Sequence, residues 1–151
     1  MLSFSGMQKK LLVIDDEQSI LDSLSRTFSD LGYELFLASD PRTGLELLKS
    51  EGAQVVLTDL KMPGMDGLEV LQRVKQYHAD VQVILITGHG SIDEAVAAMK
   101  KGAYDFIPKP FNKQEITAVV NRAFEKASLV AENFLLREKL KNNPPSFETG
   151  K

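Results

Sequence analysis

Five short apolar runs rich in branched side chains recur along the chain: LLVI at 11–14, LFLA at 35–38, VVL at 55–57, VILI at 83–86 and YDFI at 104–107. Each is separated from the next by a stretch in which apolar residues follow helical spacing. Ile20, Leu21, Leu24, Phe28 and Leu31 mark a first helix that Gly32 ends. Leu45, Leu47 and Leu48 mark a second, with Pro41 near its start and Gly52 after it. Leu68, Val70, Leu71 and Val74 mark a third. Ser91 stands three residues before Glu94, the spacing of a capping box, and opens a fourth that runs through 95–99 to Gly102. Strands alternating with helices in this way predict βαβ units, hence a parallel sheet covered on both faces. Right-handed crossovers leave few topologies, and ligands in such folds sit beyond the carboxyl ends of the strands.

That placement sorts the polar residues. The first run ends on Asp15 and Asp16, the third on Asp59, and the fourth on Thr87; Lys109 follows the fifth by two residues. The second run ends on Ser39-Asp40-Pro41, an ordinary turn. With strand order 2-1-3-4-5 the four marked strands are contiguous and the unmarked one lies at an edge. Three carboxylates, a hydroxyl and an ammonium are then expected in one crevice. Each has a bland explanation alone: Asp15 and Asp16 as helix caps, Asp59 as a turn residue, Thr87 as a last strand residue before Gly88, Lys109 as a solvated lysine. Four such coincidences on one sheet edge favour a site. Clustered carboxylates need a cation, and a small oxygen-rich site suits Mg²⁺. An aspartate can also be the nucleophile that forms an aspartyl-phosphate, and the turn-rich TDLKMPGMDG at 58–67 would hold Asp59 for in-line attack while the Lys61 carbonyl faces the metal.

Composition bounds the rest. With 151 residues, 43 % of them apolar, the chain supports one domain and a short appendage. A net charge of −3 argues against general nucleic-acid binding, and the absence of cysteine excludes disulfides and thiolate metal sites. No apolar stretch approaches a membrane span. Residues 1–7 are expected to be a disordered leader without the apolar core of a signal peptide, and a cytoplasmic location is expected. Gly88-His89-Gly90 begins like a dinucleotide loop but lacks its third glycine, and no P-loop occurs. His78 and His89 are too far apart in sequence to suggest a local metal pair.

VIDDE, TDLKMPGMDG, ITGHGS and GAYDFIPKPF closely resemble the receiver domains of two-component response regulators, over about residues 8–125. The resemblance implies a flavodoxin-like, doubly wound five-stranded sheet, with Asp59 accepting a phosphoryl group from a sensor histidine kinase. It implies that Asp15 and Asp16 are the acidic pair, Asp16 a direct Mg²⁺ ligand, and that Thr87 and Lys109 hold the phosphoryl oxygens. Phe106 occupies the switch-aromatic position, where the family often has tyrosine, and the Lys109-Pro110 bond is expected to be cis. A phosphatase of the haloacid-dehalogenase type shares the nucleophilic aspartate but expects a second aspartate two residues on, where this chain has Lys61. A second alternative is a protein-binding module that is never phosphorylated.

A fifth helix is expected from about Asn112, burying Ile116, Val119, Val120, Ala123 and Phe124, and continuing until Pro144-Pro145. Within it Leu129, Asn133, Leu136 and Leu140 are spaced 4, 3 and 4 residues apart, as a coiled-coil seam requires. Residues 126–143 are therefore expected to be a dimerising linker and 144–151 a flexible tail. This extension resembles the receiver-to-ATPase linker of NtrC-type, sigma-54-dependent activators, which implies a covalently linked transcriptional output. Receivers coupled to cyclic-dinucleotide enzymes carry comparable linkers.

Overall fold

The structure, a computed structural model, describes residues 8–88 and 92–142. The expected leader, the Ser91 cap, His89 and the expected tail at 144–151 lie outside the described residues. The chain alternates throughout: β1 (Lys10–Ile14), α1 (Gln18–Asp30), β2 (Glu34–Ala38), α2 (Pro41–Glu51), β3 (Val55–Asp59), α3 (Gly67–Tyr77), β4 (Gln82–Thr87), α4 (Ile92–Lys100), β5 (Asp105–Pro108) and α5 (Lys113–Asn142). The sheet is parallel with order β2-β1-β3-β4-β5, as expected.

Strand alternation divides the core into two layers. Leu11, Val13, Val55, Leu57, Ile84 and Ile86 pack against Leu24 and Phe28 of α1 and Ile116, Val120 and Phe124 of α5. Leu12, Ile14, Val56, Val83 and Leu85 face the other way, onto Leu48 of α2, Val70 and Val74 of α3 and Ala98 of α4. β1, β3 and β4 are covered on both sides, whereas the edge strand β2 is only partly buried.

One helical position departs from expectation. Leu31 is not part of the buried face of α1; it is the C-cap, 49 % exposed, with its amide bonded back to Phe28. The helix tightens there, and Gly32 (φ 87°) turns the chain toward β2. Asp40, in the turn after β2, caps α2 by accepting the Thr43 amide at 2.8 Å.

α5 opens on a reciprocal cap that links Asn112 and Glu115. Asn112 Oδ1 accepts the Glu115 amide at 2.7 Å, and Glu115 Oε1 accepts the Asn112 amide at 2.9 Å. Ile116, Val119, Val120, Ala123 and Phe124 are all buried, and burial along the helix stops at Ala127. Leu129, Leu136 and Leu140 are 59 %, 55 % and 54 % exposed, and Asn133, Phe134 and Leu135 are exposed beside them. The helix itself is unbroken through its 30 residues, about 45 Å at 1.5 Å per residue. Among the described residues no helix is long and apolar enough to cross a membrane.

Candidate functional site

The site is assembled from the carboxyl ends of four neighbouring strands. Past β1, the Asp15 amide bonds to the Ala38 carbonyl at 3.1 Å, which carries the strand pairing one residue further. The Asp15 side chain is thereby fully buried, and its Oδ1 accepts the Glu17 amide at 2.9 Å. β3 ends on Asp59 itself, 7 % exposed.

The loop after Asp59 is drawn tightly back over the strand end. Leu60 and Met62 are buried and anchor it to the core, the Leu60 amide bonds to the Ile86 carbonyl at 2.9 Å, and the Gly67 amide bonds to the Leu60 carbonyl at 2.8 Å. Gly64 takes a positive φ of 88°, and Asp66 caps α3 by accepting the Glu69 amide at 3.0 Å. A Cβ on Gly67 would lie 2.6 Å from the Asp59 carbonyl oxygen and 2.8 Å from the Leu60 Cα. The turn residues after the strand thus have a steric purpose: they let the start of α3 touch the backbone that carries Asp59.

β4 ends on Thr87, 3 % exposed, whose carbonyl accepts the Lys109 amide at 2.7 Å. The Lys109-Pro110 peptide is cis, as the resemblance implied. The Lys109 ammonium points into the cluster, 2.8 Å from Glu17 Oε1, 3.5 Å from Asp59 Oδ2 and 3.6 Å from Asp15 Oδ2. Of the expected residues, Asp15, Asp59 and Lys109 therefore converge, and Thr87 ends the neighbouring strand, joined to Lys109 through its backbone. Asp16 is exposed, and its charge acts on Asp59. The Lys61 side chain turns away to pair with Glu94 at 2.9 Å, while its backbone amide favours the ionised form of Asp59. Phe106 is half-buried against the core layer of α3 and α4. The residue that sequence reasoning missed is Glu17, the third acid of DDE: one of its carboxylate oxygens lies within 4.8 Å of an oxygen of Asp15 and an oxygen of Asp59.

Burial dominates the electrostatics. It raises Asp15 to about 6, against the Glu17 amide and Lys109, which pull it down, and with the Asp59 charge adding to the rise. Asp59 is also raised by burial, although Lys109 and the Lys61 amide oppose this. Glu17 is lowered by its bond to Lys109. Asp15 Oδ2 is buried and accepts no hydrogen bond, so one acceptor of the cluster is unused. Crowded, desolvated carboxylates with a spare inward oxygen fit a small divalent cation.

Comparison with known proteins places this site in context. The family model described as the response regulator receiver domain matches residues 11–121. The C4-dicarboxylate transport transcriptional regulatory protein DctD of Pseudomonas aeruginosa is 40 % identical over 86 % of this chain and 28 % of its own length. The DNA-binding transcriptional regulator NtrC of Escherichia coli K12 is 41 % identical over 78 % of this chain and 25 % of its own length. The chain thus spans about a quarter of the length of these curated relatives. Among solved structures, a response regulator receiver domain protein from Clostridium thermocellum is 35 % identical with a TM-score of 0.77, covering 81 % of this chain and 98 % of that one. NtrX from Brucella abortus in complex with ADP is 37 % identical with a TM-score of 0.81, covering 86 % of this chain and 30 % of that one.

Proposed function

Because the chain belongs to the response-regulator receiver family, we propose that it is a phosphorylation-controlled switch whose phosphoacceptor is Asp59 and whose donor is a sensor histidine kinase. The observation that carries this reading is the Asp59 carboxylate, nearly buried at a strand end, with the Lys109 ammonium 3.5 Å away and Asp15 beside it. An Asp59 oxygen attacks the phosphorus of a phosphohistidine; the P–O bond forms as the P–N bond breaks, and the electron pair returns to the imidazole nitrogen. Water later attacks the same phosphorus and restores the carboxylate. Lys109 and the Thr87 hydroxyl bind the phosphoryl oxygens as charge moves onto them. Asp15, Asp16, Asp59 and the Lys61 carbonyl would hold Mg²⁺, which when bound supplies positive charge for the phosphoryl group. An open groove lined by Ile20, Ser23, Pro110 and Phe111 adjoins Glu17 and Lys109 and offers the kinase a place to dock. The test is intact mass after treatment with acetyl phosphate and Mg²⁺: one added phosphoryl group is expected, and none refutes the reading.

The switch passes through Thr87 and Phe106. A phosphoryl group adds charge and acceptor oxygens at Asp59; Thr87 moves to hydrogen-bond them, and Phe106, half-buried on β5 in register with Leu85 of β4, turns into the space released. The α4–β5–α5 surface changes with it. Thr87→Ala is expected to take up phosphate while losing the response, read as amide shifts across α4 and β5 on labelling. A full set of shifts in that variant would refute the relay.

Residues 8–125 are the receiver and 126–143 a linker that pairs with a second copy, ahead of an output domain that regulates transcription, as the names of DctD and NtrC suggest for those relatives. Three leucines exposed along one stripe support the pairing, and Asn133 facing its own copy favours two strands in register. Leu136→Asp is expected to weaken self-association at least ~tenfold, the scale of one buried leucine. A chain ending at Phe124 is expected to sediment as a monomer. Equal dimerisation of that short chain would reject the seam.

A further inference from the structure

Lys109 has one positive charge and three carboxylates to serve. Its bond to Glu17, at 2.8 Å, has the length of a strong charge-assisted hydrogen bond, whereas Asp59 and Asp15 stand off at 3.5 and 3.6 Å. The ammonium is therefore held 0.7 Å closer to Glu17 than to Asp59 (3.5 minus 2.8). The helix that Glu17 starts favours a negative charge at its N-terminus but does not fix where the side chain points. Glu17 is the N-cap of α1, a position where glutamate is not a favoured residue, and its side chain makes no capping bond. Its amide is instead bonded to Asp15, so the Glu17 backbone is tied to the buried carboxylate while its side chain reaches across the mouth of the site to Lys109. The Glu17 side chain is 56 % exposed, and the Lys109 side chain 24 %. The bond therefore lies at the solvent boundary, where an ion pair is weak enough to be exchanged.

We infer that Glu17 is a positioning residue that tethers Lys109 in the resting receiver and yields it when a phosphoryl group reaches Asp59, so that the tether limits how readily the site takes up that group. This rests on Asp59 being the phosphoacceptor. An incoming phosphoryl group brings several acceptor oxygens and negative charge to the inner side of Lys109. The ammonium then exchanges its outer partner, Glu17 at 2.8 Å, for acceptors on the side of Asp59, now 3.5 Å away. The energy of the outer bond is subtracted from what Lys109 contributes to the transferring group. Glu17 therefore acts through Lys109, without contact with the reacting atoms.

The experiment uses the full chain with acetyl phosphate and Mg²⁺, comparing wild type with Glu17→Gln and Glu17→Asp. Glutamine removes the charge at constant size; aspartate keeps the charge but withdraws it by one methylene. Both variants are expected to label about threefold faster at sub-saturating donor, the scale of one solvent-exposed ion pair, with Mg²⁺ affinity by calorimetry and melting temperature unchanged. A gain in Glu17→Gln alone means that charge, and not the bond to Lys109, matters, and overturns the tether. Slower labelling with weaker Mg²⁺ binding makes Glu17 a metal ligand and also overturns it, as do rates equal to wild type in both variants. A wild-type chain that takes no label overturns the phosphoacceptor reading, and the tether with it.

Discussion

Asp59→Asn is expected to abolish labelling by acetyl phosphate completely while leaving the fold at least as stable. Asparagine matches the carboxylate in size but offers no anionic oxygen for attack on phosphorus. The stability half follows from the sign of the electrostatics. Burial raises Asp59 above the usual carboxylate range, so the folded state carries the full penalty of ionising the group above its folded value, and the penalty shrinks as pH falls from there and vanishes below the ordinary carboxylate value. A neutral residue removes that penalty and relieves Asp15, whose own rise the Asp59 charge adds to. In the absence of divalent cation the melting temperature at neutral pH should therefore match or exceed that of wild type. Intact mass and a thermal melt check both parts. Full labelling at a different residue would move the phosphoacceptor elsewhere, and a large drop in melting temperature would mean that Asp59 holds the fold through contacts other than charge.

Gly67→Ala is expected to have the largest effect of any single methyl group near the site. The added carbon meets backbone on two sides, 2.6 Å from the Asp59 carbonyl and 2.8 Å from the Leu60 Cα, so the start of α3 and the end of β3 must separate. Overpacking of this kind costs about 1–3 kcal/mol. Displacement of the nucleophile by a fraction of an ångström should lower the labelling rate further, toward the ~10²-fold loss seen for a 1 Å misplacement. Gly64→Ala is the control in the same loop. It has positive φ but open space around it, so it pays backbone strain of about 1 kcal/mol and should label at the wild-type rate. Labelling and urea denaturation of the two variants separate the effects. Equal labelling in both would mean that the contact at Gly67 does not position Asp59.

The strands were legible because parallel strands covered on both faces read as unbroken apolar runs, and each run ended within a residue or two of its observed strand. Asp15, Asp59, Thr87 and Lys109 were legible because strand ends and sheet order carry position without any side-chain geometry. Glu17 was not. Its role depends on the reach of a flexible side chain across to a lysine 92 residues away in sequence, and an acid at the start of a helix has an ordinary explanation there. Leu31 was misplaced because periodicity continues through a C-cap that the backbone has already left. Gly67 looked like one more turn residue, since sequence shows that glycine permits a close approach but not which atoms approach. The reciprocal Asn112–Glu115 cap had a readable spacing, and the helix start expected at Asn112 falls on it.

The unbroken course of α5 gives the receiver and its leucine stripe a fixed angular phase. Ala127 is still buried and Leu129 is already exposed, both within one continuous helix. Each residue of an α-helix advances the azimuth by ~100°. One residue inserted after Ala127 would swing Leu129, Asn133, Leu136 and Leu140 by that angle relative to Asp59, whereas seven would return them to within ~20°. The helix thus resembles a keyed shaft: were two receivers joined along it, residue count alone would set how their acidic clusters are oriented about the common axis.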